Sequence, residues 1–291
     1  MEVVIGKMAG FCPGVEGAVK KAKTALETRD IVYCLGEIVH NKQVINSLEK
    51  DGMITVDSLD EVPNGSTVLF RAHGEPECTY IKAEEKKLEV LDATCGKVLS
   101  IHKKVEREKE DSFIIILGKK NHPEVIGTKG FAGENSFVIE TEDDILDAYM
   151  KYEITDLGRV YVVAQTTISS SYFDVLAKEI EKEFYEAEVC IDKTVCNATE
   201  IRQKETQEMS KKFHTMIIIG GKNSSNTKEL AKIAESNCKS VYLIETVEEI
   251  KGIDFSKIDT VGIMAGASTP KESINEVKDY LEKVDIITEG C

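Results

Sequence analysis

Three cysteines at matching positions are the residues of this sequence best suited to chemistry. Cys12, Cys95 and Cys196 each stand directly before a helical pattern, in GFCPGV, DATCGK and TVCNAT. A helix start favours the thiolate over the thiol because the positive end of the helix dipole lies there. Three thiolates that meet suit tetrahedral zinc with one open position, or an iron–sulfur cluster with one iron that lacks a protein ligand. The residues alone do not decide between zinc and an iron–sulfur cluster. They also allow a third interpretation, in which the cysteines are small side chains that only pack at helix starts.

The same cysteines mark an internal repeat. After each cysteine, a helical stretch leads to a buried-strand pattern that ends in glycine: IVYCLG, FIIILG and TMIIIG. The intervals are nearly equal: 24 residues from Cys12 to Gly36, 23 from Cys95 to Gly118 and 24 from Cys196 to Gly220. A shared interval of this kind indicates three copies of one structural unit.

The rest of each repeat follows in the same order. An acidic segment comes next (ITVDSLDEV, FVIETEDDI and YLIETVEEI), and then a second strand leads into FRAHGE, VAQTTI and MAGAST. Strands that alternate with helices predict parallel sheets flanked by helices. We therefore predict an α/β fold of three similar parallel-sheet lobes arranged pseudo-threefold, over residues 1–95, 96–194 (with Cys95 at its start) and 195–280, with a tail at 281–291.

Polar residues follow the predicted strands, in segments that we call exit loops. Ligands of parallel sheets lie beyond the carboxyl ends of the strands, so these loops are the candidate site. Their polar residues are His40, His73, His122, Glu124, Thr166, Ser224, Ser225, Asn226 and Ser268. Hydroxyls, an amide, imidazoles and the N–H groups of helix starts suit phosphate oxygens.

Glu124 is the one acid in the most polar part of this set. Desolvation and nearby negative charge would raise its pKa and make it a proton donor. The alternative is a first-turn glutamate after Pro123 that is favoured by the helix dipole.

Composition narrows the possible partners. The chain has 291 residues and a formal net charge of −15, with acidic residues spread along it, which argues against nucleic acid. The longest apolar runs, FIIIL and MIIIGG, are far shorter than the roughly 20 residues that span a bilayer. We expect a cytoplasmic protein with reduced thiols and no membrane partner. The remaining cysteines are expected to be packing or surface residues: Cys34, Cys78, Cys190, Cys238 and Cys291.

The motifs together resemble one enzyme family. GFCPGV, IVHNKQV, RAHGE, DATC, GKKNHPEV, AQTT, CNAT, GGKNSSNT and AGAST stand in the order typical of 4-hydroxy-3-methylbut-2-enyl diphosphate reductases, the last enzymes of the methylerythritol phosphate route to isoprenoids. The match runs from the first dozen residues to about residue 280. The resemblance implies a three-lobed α/β fold around a [4Fe-4S] cluster, with a unique iron facing the substrate. Pro13 stands at a position that varies in the family.

The resemblance also implies roles for individual residues. Cys12, Cys95 and Cys196 would ligate the cluster. The diphosphate would be bound by His40, His73, His122, Ser224, Ser225, Asn226 and Ser268. Glu124 and Thr166 would serve the substrate hydroxyl and proton delivery, with His122 also in the catalytic group. The implied reaction is a two-electron reductive dehydroxylation that yields isopentenyl and dimethylallyl diphosphate.

Electrons for this reaction must come from another molecule, because no glycine-rich nucleotide fingerprint follows a strand in the sequence. The resemblance implies a ferredoxin or a flavodoxin as donor. Two other functions fit the repeat. One is a cluster-dependent hydro-lyase, which consumes no electrons. The other is a phosphometabolite-binding or redox-sensing protein with a structural metal site, which forms no product.

Overall fold

Strands and helices alternate along the whole chain, as the repeat predicts. The computed structural model describes residues 1–155, 157–255 and 258–288, with side chains described to residue 283. Cys291, which the sequence assigns to packing or the surface, lies outside the described residues.

Twelve strands in the described residues form three four-stranded sheets, and every strand pairing is parallel. The strands are β1 (Glu2–Ile5), β2 (Val32–Leu35), β3 (Met53–Val56), β4 (Thr67–Phe70), β5 (Glu89–Asp92), β6 (Phe113–Leu117), β7 (Ser136–Ile139), β8 (Arg159–Ala164), β9 (Glu188–Ile191), β10 (Thr215–Ile219), β11 (Ser240–Ile244) and β12 (Thr260–Ala265).

Ten α-helices connect these strands over the same residues. They are α1 (Pro13–Leu26), α2 (Lys42–Lys50), α3 (Glu77–Glu85), α4 (Gly96–Glu108), α5 (Pro123–Ala132), α6 (Asp144–Glu153), α7 (Ser170–Glu183), α8 (Asn197–Ser210), α9 (Ser225–Glu235) and α10 (Lys271–Thr288). Two short 3₁₀ helices span Leu59–Glu61 and Val247–Ile250.

The three sheets share one strand order. They run β3-β2-β4-β5, β7-β6-β8-β9 and β11-β10-β12-β1. The predicted fold class, three parallel-sheet α/β units, is thereby confirmed. The lobe boundaries stay a prediction. The first strand, within the range predicted for the first lobe, pairs with β12 in the third sheet. Residues 281–288, within the predicted tail, continue α10.

One edge strand of each sheet leads directly to a cysteine. Strand β1 precedes Cys12, β5 precedes Cys95 and β9 precedes Cys196, and the three strands have the same pattern of partial exposure. The central strands β6 and β10 are buried along their full length, as expected where helices cover both faces of a parallel sheet.

The acidic segments of the repeat cap turns. The carboxylates of Glu61, Asp144 and Glu249 each accept two backbone N–H groups from the end of the preceding edge-strand segment. A reciprocal capping box is formed by Ser58 with Glu61 and by Thr246 with Glu249. The repeated acid in the sequence therefore has a structural role in each sheet.

The described residues divide into two compact units. One consists of Met1–Val15, His40–Asn46 and residues 197–288, and its core centres on strands β10 and β12. The other consists of Glu16–Val39 and Ser47–Cys196, and it contains the sheets of β2–β5 and β6–β9. Among the helices described above, none has both the length and the apolar character needed to cross a bilayer.

Candidate active site

The three cysteine positions share one local structure. The backbone N–H of each cysteine donates to a carbonyl oxygen in an exit loop at 3.0 Å: Cys12 to Ala267, Cys95 to Ala72 and Cys196 to Thr166. Each cysteine directly precedes the first turn of a helix, which is α1, α4 or α8. None of the three takes part in a disulfide, and all three are partly exposed. The equivalence seen in the sequence therefore extends to the hydrogen bonding and exposure of each cysteine.

The helix start also makes the Cys12 sulfur a hydrogen-bond acceptor. The Cys12 Sγ accepts the backbone N–H of Val15 at 3.5 Å, and Cys95 is the N-cap residue of α4. A negative thiolate gains most from this position because the first N–H groups of a helix lack backbone partners.

Helix α5 begins with a histidine cap. The Nδ1 atom of His122 accepts the backbone N–H of Glu124 at 3.2 Å, and Pro123 occupies the first helical position. Since Nδ1 is the acceptor, the neutral imidazole carries its proton on Nε2. The sequence HPE thus forms a helix start that fixes both the His122 ring and the Glu124 backbone.

Glu124 is buried against Thr166, which is 42 residues further along the chain. The carboxyl is only 3% exposed, and it accepts the Thr166 N–H at 2.5 Å and the Thr166 hydroxyl at 2.8 Å. Burial raises the pKa of Glu124 to about 7, although the two hydrogen bonds from Thr166 act to lower it. Near neutral pH the carboxyl therefore exists in both protonation states and can give up a proton.

His73 lies beside His122. Their rings meet edge to face, with centroids 5.4 Å apart and planes at 87°. The exit loop of His73 is braced by an ion pair between Arg71 and Glu75 at 2.8 Å. This unit therefore brings two imidazoles, a carboxyl and a hydroxyl into one continuous set of contacts.

Helix α9 begins with a different polar set. The Ser224 hydroxyl caps the helix by accepting the N–H of Thr227 at 3.3 Å. Ser225 and Asn226 follow in the first turn, and both are buried. Asn226 is 3% exposed, yet neither Oδ1 nor Nδ2 has a hydrogen-bond partner among the described residues. A buried amide of this kind is costly unless a ligand completes its hydrogen bonds.

The same unit holds His40 and Ser268 close to this helix start. The Ser268 hydroxyl donates to the His40 carbonyl oxygen at 3.1 Å. A Cβ atom at Gly221 would collide with that carbonyl oxygen, so glycine is required for the close approach. Ser224 donates its N–H to the Gly221 carbonyl at 3.0 Å, which connects the His40 segment to the start of α9.

A family model described as LytB protein matches residues 3–282. The chain belongs to the LytB protein family. Among curated relatives, a protein of Aquifex aeolicus is 39% identical over 289 residues, which cover 98% of this chain and 97% of the relative. A protein of Clostridioides difficile is 37% identical over 286 residues, covering 98% and 100%. Both are named 4-hydroxy-3-methylbut-2-enyl diphosphate reductase, so the resemblance drawn from the motifs is confirmed.

Solved structures agree with this assignment. The reductase of Plasmodium falciparum, described as acting on the E-1-hydroxy-2-methyl-but-2-enyl-4-diphosphate, superposes with a TM-score of 0.86 at 28% identity, covering 97% of this chain and 87% of that one. A second reductase structure, described as the terminal enzyme of the non-mevalonate pathway, has a TM-score of 0.71 at 39% identity, covering 97% and 100%.

Backbone hydrogen bonds of this LytB-family chain define which exit-loop residues correspond in the three repeats. The exit-loop carbonyls that accept a cysteine N–H belong to Ala72, Thr166 and Ala267, so the residues that follow them correspond. These are His73, Thr167 and Ser268. Thr167, and not Thr166, is therefore the counterpart of His73 and Ser268, and its hydroxyl accepts from Gln165 Nε2 at 2.8 Å.

Gln165 is a positioning residue that sequence reasoning missed. Its Oε1 accepts the Lys119 N–H at 3.1 Å, and its side chain packs over Gly118, so it holds the loop that leads to His122. A buried strand that ends in glutamine was the available signal, because a buried amide needs partners.

His102 lies on the buried face of α4, which is otherwise rich in charged residues. It is 3% exposed and stacks on Phe131 with centroids 4.5 Å apart. Burial lowers the pKa of His102 to about 4, so the ring is neutral at pH 7. The spacing of Val98, Ile101 and Val105 in α4 could have revealed this, since it places His102 on the apolar face.

The cysteines outside the repeat occupy unremarkable positions. Cys34 is buried in β2, and burial raises the pKa of its thiol to about 12. Cys78 is exposed on α3, while Cys190 and Cys238 are partly buried. A high thiol pKa makes Cys34 a poor metal ligand at neutral pH.

Proposed function

We propose that this protein reduces 4-hydroxy-3-methylbut-2-enyl diphosphate with two electrons and two protons, releasing water and giving isopentenyl or dimethylallyl diphosphate. The observation that carries the proposal is the buried Glu124–Thr166 pair beside His122, because it supplies a proton donor with a pKa near neutrality in a chain whose relatives bear the name of this reductase. The expected location is the cytoplasm.

Cys12, Cys95 and Cys196 would hold a [4Fe-4S] cluster. Their local structure fits such a group, since each is a partly exposed cysteine outside any disulfide, at a helix start with the same backbone hydrogen bond. Three protein thiolates would leave one iron without a protein ligand, which distinguishes the site from a closed four-cysteine cluster. When bound, the cluster supplies the two electrons and a Lewis-acidic iron.

The diphosphate would be bound by the polar exit loops. Asn226 supports this role most strongly, because its buried amide has both a donor and an acceptor to offer. The Ser224, Ser225 and Ser268 hydroxyls and the His40, His73 and His122 imidazoles would complete the set. The positive end of the α9 dipole favours an anion even in a protein of net charge −15, because screening confines that net charge to short range.

Glu124 and Thr166 would deliver the proton to the departing hydroxyl. The Thr166 hydroxyl can accept from protonated Glu124 and donate onward, so a proton moves from Glu124 Oε2 through Thr166 Oγ1 to the substrate oxygen. The carbon–oxygen bond breaks, water leaves, and two electrons remain on the allylic fragment. A second proton added to a terminal carbon of that fragment then gives one or the other product. A ferredoxin or flavodoxin would renew the electrons.

The test is substrate-dependent oxidation of a reduced viologen dye under anaerobic conditions. We expect about two molecules of this one-electron dye to be oxidised per substrate consumed, with formation of the two isomeric diphosphates. Conversion of the substrate without dye oxidation would indicate a hydro-lyase. Reversible binding without any product would indicate a metabolite-binding protein, and either result would overturn the proposal.

A further inference from the structure

The segments that lead into the three cysteines are irregular, and we call them cysteine loops: residues 6–12, 93–95 and 192–196. In each case a side chain from another repeat contacts the loop or the strand end that begins it. The three contacting residues stand at the same place in the repeat, nine positions after a cysteine: Lys21 after Cys12, Lys104 after Cys95 and Glu205 after Cys196.

The contacts form a cycle through the repeats. The Lys21 ammonium, on α1, donates to the carbonyl oxygen of Asp92, where β5 ends before Cys95. The Lys104 ammonium, on α4, donates to the Asp192 carboxylate at 2.6 Å, at the start of the loop before Cys196. Each helix that follows one cysteine thus supports the approach to the next cysteine.

The third contact is the most extensive. The Glu205 carboxylate, on α8, accepts the N–H of Lys7 at 2.7 Å and the N–H of Met8 at 2.8 Å, in the loop before Cys12. One turn earlier on α8, Arg202 donates to the Met8 carbonyl at 2.9 Å and to the Gly10 carbonyl at 2.8 Å.

Burial shows that the α8 contacts fix the loop firmly. Arg202 is only 1% exposed, and a buried guanidinium is tolerated only where hydrogen bonds replace its water. Two of those bonds go to backbone carbonyls of an irregular segment, one of them at Gly10, whose φ of +106° is left-handed. The loop therefore depends on α8 for its shape. By contrast, Lys104 is partly exposed and Lys21 is exposed.

We propose that Lys21, Lys104 and Glu205, with Arg202, are positioning residues that brace each cysteine loop from the helix of the preceding cysteine. This inference rests on the proposed function, since it takes the three cysteines as ligands of one cluster. The braces hold the cysteine loops in place before the cluster binds. Loss of one brace loosens the loop that it supports and lets iron leave that corner of the cluster more easily.

The test is the rate at which reconstituted protein loses iron to a chelator under anaerobic conditions. Glu205→Gln keeps one acceptor and places an N–H donor opposite a backbone N–H, so iron release should accelerate about tenfold or more. Lys104→Met should accelerate it by a smaller factor because that ion pair is partly exposed. Lys104→Arg keeps the positive charge and the length of the side chain, so its iron release should be as slow as that of the wild type.

Matched controls come from the same helices. Glu208→Gln on α8 and Lys103→Met on α4 change exposed residues, and they should leave the rate unchanged. The visible absorption of the cluster should decay faster in Glu205→Gln than in the wild type, while the thermal unfolding of the cluster-free protein stays close to that of the wild type.

The outcomes separate this inference from the proposed function. If the wild-type protein binds no cluster, the proposed function fails and takes the inference with it. If the wild type binds the cluster, and Glu205→Gln and Lys104→Met release iron no faster than their controls, the bracing inference alone is overturned. Should Glu205→Gln fail to fold, the comparison of Lys104→Met with Lys104→Arg still decides the matter.

Discussion

The cysteine loops and the exit loops belong to the same repeat, yet they differ in how similar their three copies are. The three cysteine positions are alike, whereas the polar side chains of the three exit loops differ. The backbone N–H of each of the three cysteines donates to an exit-loop carbonyl at 3.0 Å, and each cysteine stands directly before a helix. The exit loops carry different groups. The second residue of α5 is Glu124 and the second residue of α9 is Asn226, and both are equally buried.

This difference matches the ligands that the two regions would bind. A cubane cluster presents similar corners, so three similar thiols suit it. A substrate with a diphosphate at one end and a hydroxyl at the other is unsymmetrical, and it needs different groups at different loops. Glu124 has its hydrogen bonds completed by Thr166, whereas the Asn226 amide has no partner among the described side chains. The first can move a proton, and the second can only bind.

The largest effect is expected from the repeated region. Cys95→Ser should abolish both the visible absorption of the cluster and turnover, and Cys12→Ser and Cys196→Ser should do the same, because a serine oxygen is a poor ligand for iron in such clusters. Absorbance and dye oxidation measure the two losses. Cys78→Ser changes an exposed cysteine outside the repeat and should keep both. A Cys95→Ser protein that kept its colour and activity would contradict the claim that the repeated cysteines bind the cluster.

The next largest effect is expected at Glu124. Glu124→Gln removes the proton donor but keeps the shape of the side chain, so kcat should fall by about 10²–10⁴-fold. Iron content and KM should stay near wild-type values. Steady-state kinetics with reduced viologen measures both constants, and unchanged kcat would remove Glu124 from proton delivery.

The pH dependence of kcat sharpens this prediction. Burial places the pKa of Glu124 at about 7 in the folded protein, and only the protonated form can donate. The wild-type kcat should therefore fall as pH rises through about 7. That decline should be missing from the residual activity of Glu124→Gln. If kcat declined with the same midpoint pH in the wild type and in Glu124→Gln, the decline would belong to a titrating group other than Glu124.

Replacing Asn226 with leucine should weaken substrate binding but stabilise the substrate-free protein. Asn226→Leu removes an amide that could bind the diphosphate, so KM should rise roughly tenfold or more while kcat changes little. The substrate-free protein should melt a few degrees higher, because a buried polar group without partners is replaced by an apolar one. Kinetics and thermal unfolding measure the two effects.

The matched control for this variant lies just beyond the other end of α9. Asn237→Leu changes an exposed asparagine that bonds only locally to the Ile233 carbonyl, and it should leave KM unchanged. A stabilised Asn226→Leu protein with normal KM would show that the amide does not meet the substrate.

The smallest effect is expected at Thr166. Thr166→Val keeps the backbone N–H bond to Glu124 but removes the hydroxyl, so kcat should fall about tenfold. The Thr166 hydroxyl lowers the pKa of Glu124, and its loss should shift the decline of kcat toward higher pH. The pH profile of kcat tests this. A shift toward lower pH would contradict the assigned hydrogen bond.

The sequence predicts the repeated part of the molecule better than the divergent part. Nearly equal spacing from Cys12, Cys95 and Cys196 to a glycine indicates the repeat, and the alternation of strands and helices within it predicts three parallel sheets. Strand β1 was harder to place. It pairs with β12, more than 250 residues further along the chain, and no local pattern reports such a pairing.

Side-chain contacts between distant residues were beyond the sequence. The burial of Glu124 and its bonds to Thr166 depend on how α5 packs against the end of β8, and the pKa follows from that packing. Arg202 reads as one charged residue in a polar helix, yet it is buried because backbone carbonyls near Gly10 accept its N–H groups. The sequence pattern shows which residue types are present, but their pKa values and hydrogen bonds depend on burial, which the folded structure sets.

The most direct test of the account is the metal and sulfide content of the protein after anaerobic purification. With absorbance recorded before and after addition of the substrate, the account predicts about four iron and four sulfide per chain and a visible spectrum that changes when the substrate binds. Zinc in place of iron, or a cluster whose spectrum ignores the substrate, would contradict it.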